Sequence, residues 1–451
     1  LRVRWICFAI LFFINAGYFL LTPPFQAPDE FAHFRRIEQL SEGKIRGKIQ
    51  NAQSGDDLPQ VMSEINSFSD LPFRPDNKIT LERLKKNFAL SGEISKNDSV
   101  FAAFPNTSLY PPISYLPQIV GAIIGRHLHF SILTTYYLER FFCSFFVLLS
   151  ALVLFGLARR HGISWPIFFV GFVTPMGFFL VNSTSADAVI ILLSVAFGVF
   201  TAIASKESRK IWWSFSLLSV TLLSICKFVY LPLSVVALPG IIRAGCFKRR
   251  EKYFFGVLFF LLPLTTATIW LAYTSKVYIP LKAGIDPGES LKYLFSHLFE
   301  MVPALVVDVL RELKETFRSA IGILGWLDTP LPRFTYQIYF VVGLFLLFTK
   351  SKVEGEKKDW VAALSFAGAY FGSLLFIYLS LYLSWNLPGS IRLEGIQGRY
   401  FLPLVVAFAF SPFRFALSAK AYRYGSVAAF NLILFVHIGA LLGLYHRYWT
   451  V

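Results

Sequence analysis

Two adjacent carboxylates followed by a histidine, in Pro28-Asp29-Glu30-Phe31-Ala32-His33, are the first side chains here with an evident capacity for chemistry. They come just after an apolar run. Two carboxylates beside a low-dielectric boundary compete for ionisation, which favours one of them as a proton acceptor, the property of a general base. His33 lies one helical turn beyond Asp29, so both would face one site. The plainer alternative is that Asp29 and Glu30 cap and begin a helix whose dipole favours acids.

Four further clusters sit at the edge of apolar stretches, where an ionisable group costs a few kcal/mol. Asn182-Ser183-Thr184-Ser185-Ala186-Asp187 joins two apolar runs with almost no loop. It is either a turn in which Asp187 caps the next helix, or Asp187 is a second acid or metal ligand. Lys227, in Ser224-Ile225-Cys226-Lys227-Phe228-Val229-Tyr230, either snorkels to the interface or faces a cavity and binds an anion, because a bare buried ammonium needs a partner. Gly325-Trp326-Leu327-Asp328-Thr329-Pro330 reads as an aromatic-belt anchor plus a turn. Arg399, in Ile396-Gln397-Gly398-Arg399-Tyr400, is a fixed cation whose planar fork suits phosphate. Tyr110-Pro111-Pro112-Ile113-Ser114-Tyr115 makes a rigid aromatic start to a short helix suited to a lipid surface.

These groups must be positioned by membrane spans. The 451 residues are 55% hydrophobic and 16% charged with mean hydropathy +0.57, against roughly 25% charged residues in soluble domains. The expected fold is all-α and polytopic, about eleven transmembrane helices in a single domain over 1–451. The candidate spans are 5–21, 138–158, 165–181, 186–204, 211–225, 228–242, 253–273, 335–348, 360–383, 400–413 and 426–444. The first resembles a signal peptide behind Arg2 and Arg4, but no small-residue cleavage site follows it, so it is expected to be retained. The stretch 113–124 is too short to cross and contains Pro117; it is expected to lie at the interface.

Placing the first residues inside puts 1–4, 159–164, 205–210, 243–252, 349–359 and 414–425 on one face. Together they hold 19 bases and five acids, leaving 24 bases and 22 acids for the rest of the chain. The net charge of +16 is therefore the signature of membrane orientation, and no nucleic-acid partner is expected. The opposite, outer face receives two large polar segments, 22–137 and 274–334, and a shorter loop, 384–399. The first has helix-like stretches near 29–43 and 79–88 and a turn-rich middle at 54–57 and 73–77. Cys7, Cys143, Cys226 and Cys246 show no disulfide or zinc spacing and read as small apolar fillers. No internal repeat or low-complexity tract is visible.

Taken in order, Pro28-Asp29-Glu30-x-x-His33, Ser185-Ala186-Asp187, Lys227-x-x-Tyr230, Gly325-Trp326-Leu327-Asp328 and Gln397-Gly398-Arg399-Tyr400 resemble the bacterial domain-of-unknown-function family 2142 over nearly the whole chain. That family is grouped with the GT-C superfamily of membrane glycosyltransferases, in which a Tyr-Pro-Pro element is also common. The resemblance implies a GT-C-like fold in a bacterial plasma membrane, with the active site facing the exterior. It implies transfer of a sugar from a polyprenyl-phosphate carrier to a cell-surface glycan or lipid-linked acceptor. GT-C enzymes place an essential acid just after the first span, where Asp29 and Glu30 stand. On that basis Asp29 or Glu30 is the base, Lys227 and Arg399 stabilise the departing phosphate, and inversion is expected. His33, Tyr110, Asp187, Tyr230, Trp326, Asp328, Gln397 and Tyr400 then line the substrate site. Many GT-C sites need no ion; where a divalent cation is shared, its candidate ligands are Glu30, His33 and Asp187, although Glu-x-x-His alone is a weak metal signal. A flippase for lipid-linked sugars, and a polysaccharide polymerase or ligase, are the competing classes.

Overall fold

The computed structural model describes residues 2–449 apart from 66, 91, 93–98, 208 and 353–358. Part of the basic segment 349–359 and the side chain of Cys7 therefore lie outside the described residues. Cys143, Cys226 and Cys246 are free thiols.

Helices dominate. Among the described residues, five are long and apolar enough to cross a membrane: Ile132–Arg160, Asp187–Glu207, Arg249–Val277, Trp360–Trp385 and Ala419–Tyr448. On four of them, all but the largely enclosed Asp187–Glu207, large apolar side chains point outward, including Phe145, Val153, Ile269, Leu375 and Ile438. Such side chains call for lipid as their solvent. Shorter apolar helices at Ile10–Leu21, Lys210–Cys226, Phe228–Arg243, Arg333–Phe348 and Gly398–Phe410 coincide with five more expected spans. The run 165–181 is divided into Pro166–Phe169 and Pro175–Val181, since Pro175 lacks the amide a continuous helix would need.

Two of the shorter elements are wound as 3₁₀ helices. Phe228–Ala237 follows the extended residue Lys227, and Gly398–Phe410 follows the extended residue Gln397. Each carries an internal proline, Pro232 or Pro403, which disrupts α-helical bonding. Gly398 is needed for packing: a Cβ there would lie 2.0 Å from the Ala320 amide nitrogen.

The first outer segment is more ordered than its turn-forming residues suggest. Helix Glu30–Ser41 packs on helix Leu116–His127 and on a small antiparallel sheet. The sheet has the order β1-β2-β3, with β1 Lys48–Gln50, β2 Gln53–Pro59 and β3 Ser99–Ala103. Residues 54–57, expected as a turn, are the middle of β2, paired to Ala103 through Phe101. Gly55 is suited to this position because a Cβ would meet the Ala102 carbonyl oxygen at 2.1 Å. The turns expected at 73–77 are present, with hydrogen bonds from Arg74 to Leu71 and from Asn77 to Arg74. The second outer segment contains a feature outside the list of expected spans, a helix pair Pro287–Ser296 and Leu298–Gly322 bent by 108°.

Helix Asp187–Glu207 orients the molecule. At about 1.5 Å per residue it is roughly 30 Å long. Asp187 begins it, while near its end the Lys206 ammonium donates to the carbonyls of His161 and Gly162 at 2.8 and 3.1 Å. The basic segments 159–164 and 205–210 thus meet at the end remote from Asp187.

Candidate functional site

Asp29 occupies the position before helix Glu30–Ser41 with φ +62°, in the left-handed region, and its side chain makes no capping hydrogen bond. A non-glycine residue there carries a conformational cost that the surroundings must offset. The carboxylate turns outward to other partners. It accepts from the Asn106 amide at 2.6 Å and from the Arg399 guanidinium at 3.3 Å.

Asp187 is likewise engaged across the fold. It accepts from the Lys227 ammonium at 2.8 Å, and the Arg399 Nε lies 3.3 Å from its other oxygen. Lys227 sits over the rings of Tyr400 and Tyr110, at 4.5 and 5.6 Å from their centroids, a placement that aromatic faces favour for a cation. The Tyr230 hydroxyl donates to the Tyr400 carbonyl at 2.9 Å. Four charged groups from four separate stretches of chain therefore converge: two acids and two bases. Arg399 is only 4% exposed, yet its Nε and one terminal nitrogen have no hydrogen-bond acceptor. Buried donors of that kind are normally satisfied, so the site is short of acceptor oxygens.

Glu30 differs from its neighbour. It is fully buried, and its two oxygens accept from the Ala27 and Thr184 amides at 3.0 and 3.1 Å. The Arg140 guanidinium stands 3.8 Å away and donates to the Asn182 and Thr22 carbonyls at 2.6 and 3.0 Å. Glu30 thus fastens the 182–187 hairpin to the helix start. Asp29, with its side chain 34% exposed, is the acid a substrate can reach.

His33 is buried and its Nδ1 is hydrogen-bonded to the Tyr115 hydroxyl at 2.6 Å. Burial, more than the neighbouring charges, lowers its pKa to about 4, so the imidazole is neutral near pH 7. Burial also pushes the Tyr110 hydroxyl up to about 12. The three candidate ligands for a divalent ion are committed elsewhere: Glu30 to backbone amides, His33 to Tyr115, Asp187 to the two bases. Among the described residues no three such side chains gather as a metal-binding group.

Asp328 and Trp326 are placed apart from the four charges. Asp328 accepts from Arg447 at 2.7 Å and from the Phe73 amide at 2.8 Å, which ties the last helix to the first outer segment. The Trp326 indole donates to the Phe25 carbonyl at 3.0 Å. Gln397 precedes Arg399, and its buried carbonyl oxygen has no donor.

Beside the charges runs a groove of about 730 Å³. Asn106, Tyr110, Lys227 and Tyr400 form its polar head, while Phe228, Phe376, Ile377 and Trp385 belong to its apolar walls.

A family model described as a predicted membrane protein, DUF2142, matches residues 12–408. The chain belongs to that family. Its match takes in the whole charged cluster, from Asp29 to Tyr400. No curated protein and no solved structure matches the chain.

Two contributors to this DUF2142 site carried no motif in the sequence. Asn106 is one amide in a turn-forming stretch, without a distinguishing spacing. Arg140 was more accessible to reasoning: it lies within the apolar run 138–158, where a charge at membrane depth is itself the signal.

Proposed function

We propose that this DUF2142 protein is a membrane glycosyltransferase of the GT-C kind, transferring a sugar from a polyprenyl-phosphate carrier to a glycan or lipid-linked acceptor on the outer face of a bacterial plasma membrane. The observation that carries this is the meeting of Asp29, Asp187, Lys227 and Arg399, with Lys227 reaching into the polar head of an apolar groove. A lipid phosphate needs that combination: cations with free donors for the headgroup, and apolar walls for the tail.

In this mechanism the acceptor hydroxyl gives its proton to Asp29, and its oxygen bonds to the anomeric carbon. The bond from that carbon to the phosphate oxygen breaks, and polyprenyl phosphate leaves with the electron pair. Preorganised donors aimed at developing charge are a large catalytic term, and the terminal nitrogen of Arg399 that has no acceptor supplies one with help from Lys227. Protonation of Asp29 removes a negative charge beside Arg399 as the departing phosphate gains one. Asp187 holds both cations in place, and neutral His33 with Tyr115 supports the wall.

The test is transfer from a synthetic polyprenyl-phospho-sugar by purified protein, with product analysis. A new glycosidic bond made by wild type and lost in Asp29→Asn and Arg399→Ala supports the mechanism; undiminished turnover in both variants removes it. Movement of the lipid-linked sugar across vesicles without bond formation would identify a flippase.

A further inference from the structure

A second groove opens at the other end of the molecule, and nothing in the proposed transfer uses it. It has a volume of about 850 Å³ and lies between helices Ile132–Arg160 and Ala419–Tyr448, beside the broken segment at Pro166. Its walls are aromatic and aliphatic, stiffened by Trp165 packed edge-on against Phe155 at 4.9 Å. Gly162, to which Lys206 is tied, belongs to its lining, so its mouth is on the basic-loop side, a helix length from Asp29.

The polar groups in this groove are arranged by depth. Arg159 and Arg423 are exposed at the mouth, and neither forms an ion pair among the described residues. Arg159 lies over the Phe155 ring at 5.6 Å, and the lining contains no carboxylate. Ser426, one helical turn inward from Arg423, has a buried hydroxyl with no hydrogen-bond partner. Asn431 lies five residues further along, roughly 7.5 Å, and its amide makes no side-chain hydrogen bond among the described residues while lining the groove. In hydrocarbon, polar groups without partners are costly.

We infer that this groove is a binding site for an anionic glycerophospholipid of the leaflet on the basic-loop side. The phosphate lies between Arg159 and Arg423, the ester carbonyls accept from Ser426 and Asn431, and an acyl chain follows the aromatic wall. One class of molecule thus presents an anion, acceptors a few ångströms deeper and an apolar tail, in the order in which the groove offers their complements. A bare hydrocarbon chain would leave the hydroxyl and amide unpaired. A second copy of the chain would bring the same two arginines against themselves.

The test is native mass spectrometry of the full-length protein in detergent, incubated separately with phosphatidylglycerol, phosphatidylcholine and a polyprenyl monophosphate. Wild type is expected to retain phosphatidylglycerol about tenfold better than phosphatidylcholine, in line with the attraction of juxtamembrane bases to anionic lipid. Arg159→Ala with Arg423→Ala should abolish that preference, whereas lysine at both positions should keep most of it and guards against misfolding. Ser426→Leu with Asn431→Leu should reduce retention of both phospholipids. Equal retention of the two phospholipids by wild type, an unaltered preference in the alanine pair, a loss of polyprenyl monophosphate in the alanine pair that exceeds its loss of phosphatidylglycerol, or occupation by a second protein chain would each overturn the assignment. The deciding readout is dependence on Arg159 and Arg423, so polyprenyl monophosphate held at the Lys227 groove does not alter it, and the enzymatic proposal can fail without affecting this one.

Discussion

Two of the protein's aspartate–arginine pairs, Arg447–Asp328 and Arg399–Asp29, are built to opposite specifications. In the clasp at the end of the chain, Arg447 and Asp328 are 2.7 Å apart, 5% and 6% exposed, and Asp328 also receives the Phe73 amide. In the groove-side pair, Arg399 and Asp29 are 3.3 Å apart, the acid is 34% exposed, and two arginine nitrogens have no acceptor. The first closes most of its bonding and holds elements together. The second leaves capacity open, which is what a group meant to meet a substrate requires.

Breaking the open pair should cost activity before stability. Asp29→Asn keeps the shape and removes the proton acceptor, so transfer should fall about 10²–10⁴-fold while the thermal midpoint in detergent hardly moves. Breaking the closed pair should do the reverse. Asp328→Ala strands Arg447 in a buried site, at a cost of about 3–5 kcal/mol, read as a large fall in thermal midpoint with turnover per folded molecule retained. Arg399→Ala should lower turnover by about 10²–10³-fold with a smaller change in melting than Asp328→Ala; the opposite ranking would erase the distinction between the pairs. Glu30→Gln deprives a backbone amide of its acceptor and should destabilise by about 1–3 kcal/mol, which separates a structural acid from the neighbour proposed as the base. The smallest effect concerns pH. Because His33 is held neutral with a folded pKa of about 4 against an ordinary value of 6.5, its contribution to stability is full above pH 6.5 and is lost as pH falls towards 4. The stability difference between wild type and His33→Gln should be constant above about pH 6.5 and change as pH falls towards 4, read from melting curves across that range.

Much of this was legible in the residues, for a physical reason. Charges next to apolar runs are costly, so Asp29, Asp187, Lys227 and Arg399 announced themselves. The same rule applied to the run 138–158 would have singled out Arg140. What remained hidden depended on tertiary contacts. Nothing local distinguishes Asp29 from Glu30; the division of labour comes from a backbone turned left-handed at Asp29 and from amides of Ala27 and Thr184 that reach only Glu30. Strand β2 was obscured because Ser54-Gly55-Asp56-Asp57 has turn chemistry, and the longer of its two pairings is with Ser99–Ala103, distant in sequence.

The winding of Gly398–Phe410 has a mechanical consequence. Its 13 residues form a 3₁₀ helix, which rises about 2.0 Å per residue against 1.5 Å for an α-helix. Rewound as α, the same stretch would contract by about 6 Å, further than the 3.3 Å between Arg399 and Asp29. Arg399 is the second residue of this strut, beside Gly398 pinned against Ala320 and Ser319, so such a contraction would be taken up at the Phe410 end, and the cation sits at the fixed end of a drawn-out coil.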